Sequence, residues 1–125
     1  MSLEEKPLAL IIEDNPEQQN IFSQAIKMAG FSVEVIDDGE KAMQRLAKVT
    51  PHLIVLDLHL PTISGDEILR RIRADERLAS VSVILATADP LLAETLSAES
   101  DLVLLKPISF IQLRDLAKRL ASTIG

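Results

Sequence analysis

The sequence predicts an α/β protein, a parallel sheet with helices on both faces. Five short apolar runs alternate strictly with five segments of helical period. Most of the runs are continuous rather than alternating, as expected of strands covered on both sides. The length, 125 residues, is that of one domain, and the whole span 1–125 reads as a single one.

The runs are Leu8 to Ile12, Phe31 to Ile36, Leu53 to Leu56, Val81 to Leu85 and Leu102 to Leu105. Each has ordinary strand length, and β-branched residues are frequent in them. The first helical segment sets Phe22, Ala25, Ile26 and Ala29 on one face, with Asn15 as its cap, Pro16 in its first turn and Gly30 at its end. The second sets out Ala42, Met43, Leu46 and Ala47, after the turn-like Asp37-Asp38-Gly39. The third sets out Ile68, Leu69 and Ile72. The fourth is short, with Asp89 as cap before Pro90, then Leu91, Leu92 and Leu96. The fifth is the clearest, with Phe110, Leu113, Leu116, Ala117, Leu120 and Ile124. Crossovers between parallel strands should be right-handed. No internal repeat, low-complexity tract or linker interrupts the pattern.

Composition excludes several functions. Only Phe22, Phe31 and Phe110 are aromatic, which counts against stacking platforms for single-stranded nucleic acid and against sandwiched flavin rings. The net charge of −6 argues against direct nucleic-acid binding. The one basic cluster, Arg70, Arg71, Arg73 and Arg77, falls at helical spacing and reads as a solvated helix face. No cysteine is present, so neither a disulfide framework nor a thiolate metal site is available; this is compatible with the cytoplasm. The apolar run Leu8 to Ile12 is too short for a membrane span or a signal-peptide core. Met1-Ser2-Leu3 can be a cloning remnant and carries no structural weight.

The chemistry gathers at the strand ends, where ligands sit in open α/β sheets. The first run leads into Glu13-Asp14, the third into Asp57, the fourth through Ala86 into Thr87, and the fifth into Lys106-Pro107. If the first and third strands are neighbours, three carboxylates converge. At about 5 Å and an effective dielectric near 20, each pair repels by on the order of 3 kcal/mol. Such a cluster needs a cation or raised pKa values. Hard oxygen donors without sulfur favour Mg²⁺. With an ammonium from Lys106 and a hydroxyl from Thr87 the set becomes a phosphoryl-binding site, in which a carboxylate can itself be the acceptor. A lone Asp after a strand is ordinarily a turn or cap residue. The joint placement of an acid pair, an acid, a hydroxyl and a lysine at one end of separate strands points to function.

This pattern resembles the receiver domain of two-component response regulators over Leu8 to about Ser122. The matching pieces are Ile11-Ile12-Glu13-Asp14-Asn15, Asp38-Gly39-Glu40-Lys41-Ala42, Leu56-Asp57-Leu58-His59-Leu60-Pro61 with Gly65, Ile84-Leu85-Ala86-Thr87-Ala88, and Leu104-Leu105-Lys106-Pro107. The resemblance implies a five-stranded parallel sheet of order 2-1-3-4-5, the flavodoxin-like three-layer sandwich. It implies Asp57 as phosphoacceptor, with Mg²⁺ on Asp14, Asp57 and the backbone carbonyl of His59, and Glu13 acting through water. Lys106 would contact Asp57 and then the phosphoryl group, Thr87 would move to bond a phosphoryl oxygen, and the Lys106-Pro107 bond would be cis. The donor would be a sensor histidine kinase or a histidine phosphotransfer protein. The chain would switch conformation and dephosphorylate slowly rather than turn over as an enzyme.

Three places depart from the family pattern. Val103 stands where Tyr or Phe is usual, so coupling through a swinging ring cannot operate in its usual form. Glu99-Ser100 replaces small residues before Asp101, in the region between the fourth and fifth helices that often mediates homodimers or docking. His59 should stand at the pocket rim roughly opposite Asp89, as a solvated histidine or as a gate for water. The rival readings are a non-phosphorylated pseudo-receiver that binds protein, an aspartyl-phosphate hydrolase, and a flavodoxin. The hydrolase wants a second Asp where His59 stands; the flavodoxin wants a Ser/Thr-rich phosphate loop and aromatic walls. The downstream effector and the cognate kinase are not legible, and a stand-alone regulator and a receiver cut from a larger protein look the same.

Overall fold

A computed structural model describes residues 6–124; Met1-Ser2-Leu3 lies outside that range. Five strands, β1 (Leu8–Ile12), β2 (Ser32–Ile36), β3 (Leu53–Asp57), β4 (Ser82–Thr87) and β5 (Leu102–Leu105), form one sheet in the order β2-β1-β3-β4-β5. Every neighbouring pair is parallel. Helices α1 (Pro16–Met28), α2 (Gly39–Leu46), α3 (Gly65–Ala74) and α4 (Pro90–Leu96) make the four crossovers, with a short 3₁₀ turn, Ser97–Glu99, after α4, and helix α5 (Phe110–Ser122) follows β5. The fold is therefore the three-layer sandwich that the sequence predicts.

Alternation along β1 divides the interior into two cores. Ala9 and Ile11 point to one face, where Phe22, Ala25 and Ile26 of α1 and Leu113 and Ala117 of α5 are buried with them. Leu10 and Ile12 point to the other, against Ala42 and Leu46 of α2, Ile68, Leu69 and Ile72 of α3, and Leu96 of α4. Burying a Leu or Ile side chain contributes roughly 1.5–3 kcal/mol, so these faces hold the sheet in register.

Element ends follow local chemistry. Asn15 caps α1 through its side chain, which accepts from the Gln18 N–H at 3.0 Å. Asp38 and Ser109 do the same for α2 and α5. At the far end of α1, Gly30 takes φ +104, and the N–H of Phe31 closes onto the Ile26 carbonyl. That bond explains why β2 starts at Ser32: Phe31 is buried, but its backbone still terminates a helix. Val81 likewise donates to Leu78 in a turn, so β4 begins one residue later than the apolar run and continues to Thr87.

Some faces differ from the sequence expectation. Leu91 in the first turn of α4 is 76% exposed, and Ala93 takes the inward place beside Leu96. Ala47 is the exposed C-cap of α2, and Ile124 lies beyond the end of α5. The arginine cluster is not simply solvated. Arg70 and Arg71 pair with Glu67. Arg73 bonds the Ala79 and Val81 carbonyls and Asp101. Arg77 holds the Leu46 and Val49 carbonyls and the Thr50 hydroxyl beyond the C-terminus of α2. Arg77 thus satisfies a carbonyl that the end of α2 leaves open, and Arg73 satisfies carbonyls of the loop before β4.

Candidate functional site

The strands are parallel, so their carboxyl ends share one edge, and the order reverses between β1 and β3. At that switch point Glu13 follows β1 and Asp57 is the last residue of β3. Thr87 ends β4, and Lys106 follows β5. Glu13, Asp57 and Thr87 are 1%, 2% and 0% exposed, the only buried polar side chains among the described residues. Asp14 is exposed at the rim. One carboxylate oxygen each from Glu13, Asp14 and Asp57 lies within 4.8 Å of the other two. The structure thus brings together the acids that the strand ends single out.

Lys106 is the counter-charge. Its Nζ donates to Glu13 Oε1 at 3.0 Å and to Asp57 Oδ1 at 3.2 Å. Glu13 Oε2 accepts from the Asn15 N–H at 3.1 Å, and the Glu13 carbonyl accepts from the Gln19 side chain at 2.7 Å. Burial raises the Glu13 carboxyl above its ordinary pKa, with the Asp57 charge adding to that; the Asn15 N–H and Lys106 oppose the rise. One ammonium against three carboxylates leaves negative charge in excess. The donors are hard oxygens, two of them buried, beside an open rim, so the cluster can bind a divalent metal of the Mg²⁺ type.

His59 meets Asp57 through its backbone N–H, which donates to Oδ1 at 3.3 Å, while its side chain is exposed. The chain turns sharply here: a Cβ on Gly65 would stand 2.3 Å from the Asp57 carbonyl oxygen. Thr87 Oγ1 accepts from the Asp89 N–H at 3.0 Å, and its carbonyl accepts from the Lys106 N–H at 2.8 Å. The Asp89 carboxylate caps α4, accepting from Leu91 and Leu92. Lys106-Pro107 is cis, as the resemblance implies. Val103 is half-buried and packs against the core on the α2–α4 side of the sheet.

Sequence reasoning missed the supports of this edge. Gln19 holds the Glu13 carbonyl, and Thr62 bonds Asp38 across the loop after β3. A polar residue one turn into α1 and a threonine in an aperiodic loop give no pattern that would single them out.

The family model of the response regulator receiver domain matches residues 9–118. The sensor histidine kinase TmoS of Ectopseudomonas mendocina is 31% identical over 94% of this chain and 12% of its own length. Among solved structures, the signal receiver domain of a signal transduction histidine kinase from Syntrophus aciditrophicus superposes with a TM-score of 0.84 at 28% identity, covering 95% of this chain and 92% of that one. The receiver domain of a sensor histidine kinase from Pseudomonas aeruginosa, with a magnesium ion coordinated in its active site cleft, gives 0.83 at 27% identity, covering 94% and 99%. The chain spans 6% to 41% of the lengths of the first four curated relatives it matches. The chain belongs to the response regulator receiver domain family.

Proposed function

We propose that residues 1–125 form one receiver domain that accepts a phosphoryl group on Asp57 from a phosphohistidine. The donor is a sensor histidine kinase or a histidine phosphotransfer protein, and the setting is the cytoplasm. The observation that carries this reading is the Lys106 ammonium bridging two buried carboxylates at the topological switch point. An ammonium so placed sits where charge spreads in phosphoryl transfer. Asp14, Asp57 and the His59 carbonyl would hold Mg²⁺, with Glu13 acting through water; the bonds on both Glu13 oxygens support that indirect role. Bound there, the metal would neutralise charge on the transferred phosphoryl group.

Asp57 supplies the nucleophilic oxygen. A P–O bond forms to it as the P–N bond of the phosphohistidine breaks, and the electron pair leaves with the imidazole. Lys106 stabilises the negative charge on the equatorial oxygens. The Thr87 hydroxyl, released from the Asp89 N–H, rotates to donate to a phosphoryl oxygen. The acyl phosphate is then hydrolysed slowly, which makes the chain a phosphoacceptor rather than a turnover enzyme. Leu91, Leu105 and Ile111 are exposed apolar residues on α4, β5 and α5, and support that face as the place of homodimerisation or effector docking. Among the described residues no helix is long and apolar enough to cross a membrane, and the acidic charge argues against direct binding to nucleic acid.

Intact mass spectrometry after incubation with Mg²⁺ and acetyl phosphate tests the reading. The expected result is one phosphoryl group added to the wild type and none to Asp57→Asn. No adduct with any donor would favour the pseudo-receiver, and sustained release of phosphate the hydrolase.

A further inference from the structure

Thr62 is the one residue other than glycine in the left-handed backbone region among the described residues, at φ +66. A β-branched side chain is disfavoured there, so surrounding interactions must hold it. Three contacts do so. The Thr62 hydroxyl donates to Asp38 Oδ1 at 3.0 Å and accepts from the Glu40 N–H at 2.9 Å. Next to it, the Gly39 N–H donates to the Pro61 carbonyl at 3.2 Å. The two segments are pressed together so closely that a Cβ on Gly39 would stand 2.2 Å from the Ile63 carbonyl oxygen. Asp38 Oδ1 also caps α2 through the Lys41 N–H, so one carboxylate oxygen ties the start of α2 to the loop between β3 and α3.

That loop holds His59, whose N–H bonds the Asp57 carboxylate. Its other end is fixed by the Gly65 N–H on the Leu58 carbonyl, at 3.2 Å. Between these anchors Leu60 and Ile63 pack against the core, and among the described residues the Thr62 hydroxyl makes the only side-chain hydrogen bonds from the loop to another element. We propose that Thr62 is a positioning residue: its hydroxyl pins the β3–α3 loop to the start of α2 and thereby sets the His59 N–H on Asp57. The strained backbone is kept because the residue there must present a hydroxyl to Asp38 and Glu40, which a glycine would not.

The kinetic part of this inference rests on Asp57 as the phosphoacceptor; the geometric part does not. Three variants separate hydroxyl from backbone. Thr62→Val keeps the shape and removes the hydroxyl, Thr62→Ser keeps the hydroxyl, and Thr62→Gly relieves the backbone while removing the hydroxyl. In the unphosphorylated, metal-free protein, the His59 amide proton resonance is expected to move from its hydrogen-bonded position in Thr62→Val and Thr62→Gly, and to return in Thr62→Ser. With Mg²⁺ and acetyl phosphate, the maximal rate of Asp57 phosphorylation is expected to fall on the order of tenfold in the same two variants and to recover in Thr62→Ser. Thr62→Gly keeps the test available should Thr62→Val fail to fold. A wild-type His59 resonance in a folded variant without the hydroxyl, or a Thr62→Ser protein that behaves like Thr62→Val, overturns the proposal. If the wild type accepts no phosphoryl group, the phosphoacceptor reading fails, and the resonance alone decides this one.

Discussion

At the scale of the residue, the balance of charge in the pocket sets opposite signs for two substitutions. Glu13 and Asp57 share one ammonium, with the Asp14 carboxylate close by. Replacing Asp57 by Asn removes repulsion from Glu13 and Asp14. In metal-free buffer that variant is expected to gain about 1 kcal/mol in urea unfolding. Lys106→Ala removes the only compensating charge at hydrogen-bond distance among the described residues and is expected to lose about 3 kcal/mol in the same measurement. A site kept for stability would lose from both changes. The acids, Thr87 and Lys106 were legible because each stands where an apolar run stops, a position defined by one-dimensional pattern. The Gln19 and Thr62 supports were not, because their roles depend on which loop folds over which helix end.

At the scale of the element, α4 is the unit whose behaviour the site can reach. The Asp89 N–H bonds the Thr87 hydroxyl, and its carboxylate caps the helix. With Val103 in place of an aromatic ring, this short path joins the floor of the pocket to α4 without side-chain rotation on β5. Asp89→Ala is expected to cost about 1 kcal/mol of stability, with faster amide exchange confined to α4. A second pair ties α2 to the edge strand: Arg45 holds both oxygens of Glu34, at 2.6 and 2.8 Å. That bond keeps the Glu34 carboxyl below its ordinary value of 4.5. A lowered carboxyl pKa contributes stability that is present above the unfolded value and lost as pH falls through the folded one. Because the pair is partly exposed, the effect is under about 1 kcal/mol. Glu34→Gln is expected to flatten the acid limb of the stability curve below pH 4.5 by that amount, read by urea titration. Helix identities were legible from period, but α4 is too short for period to choose its face: Leu91, Leu92, Ala93 and Leu96 allow more than one apolar stripe, and the fold buries Ala93 and Leu96.

At the scale of the whole molecule, strict β-α alternation and continuous apolar runs were enough to specify a parallel sheet, because only such a sheet buries both faces of every strand. Strand order was not legible from the residues alone, since five similar runs carry no mark of which neighbours which; it came from the resemblance. The converging carboxylates couple the site to the global equilibrium. A divalent cation bound by the folded chain and not by the unfolded one stabilises in proportion to the logarithm of its concentration. Raising Mg²⁺ from 1 to 100 times its dissociation constant is expected to add about 2.3 kcal/mol and raise the melting temperature accordingly, with no such rise in Asp57→Asn. The loop between β3 and α3 has a different consequence. Gly39 presses on it from one side, and Gly65 closes it against the Asp57 backbone. Loops on a surface ordinarily tolerate added residues at small entropic cost. This one does not have that freedom, because an insertion between Leu58 and Ser64 must either lift Gly65 from the end of β3 or part the loop from α2. The spacing between the end of β3 and the start of α3 is therefore a fixed length, and changes in chain length in this protein belong elsewhere on the surface.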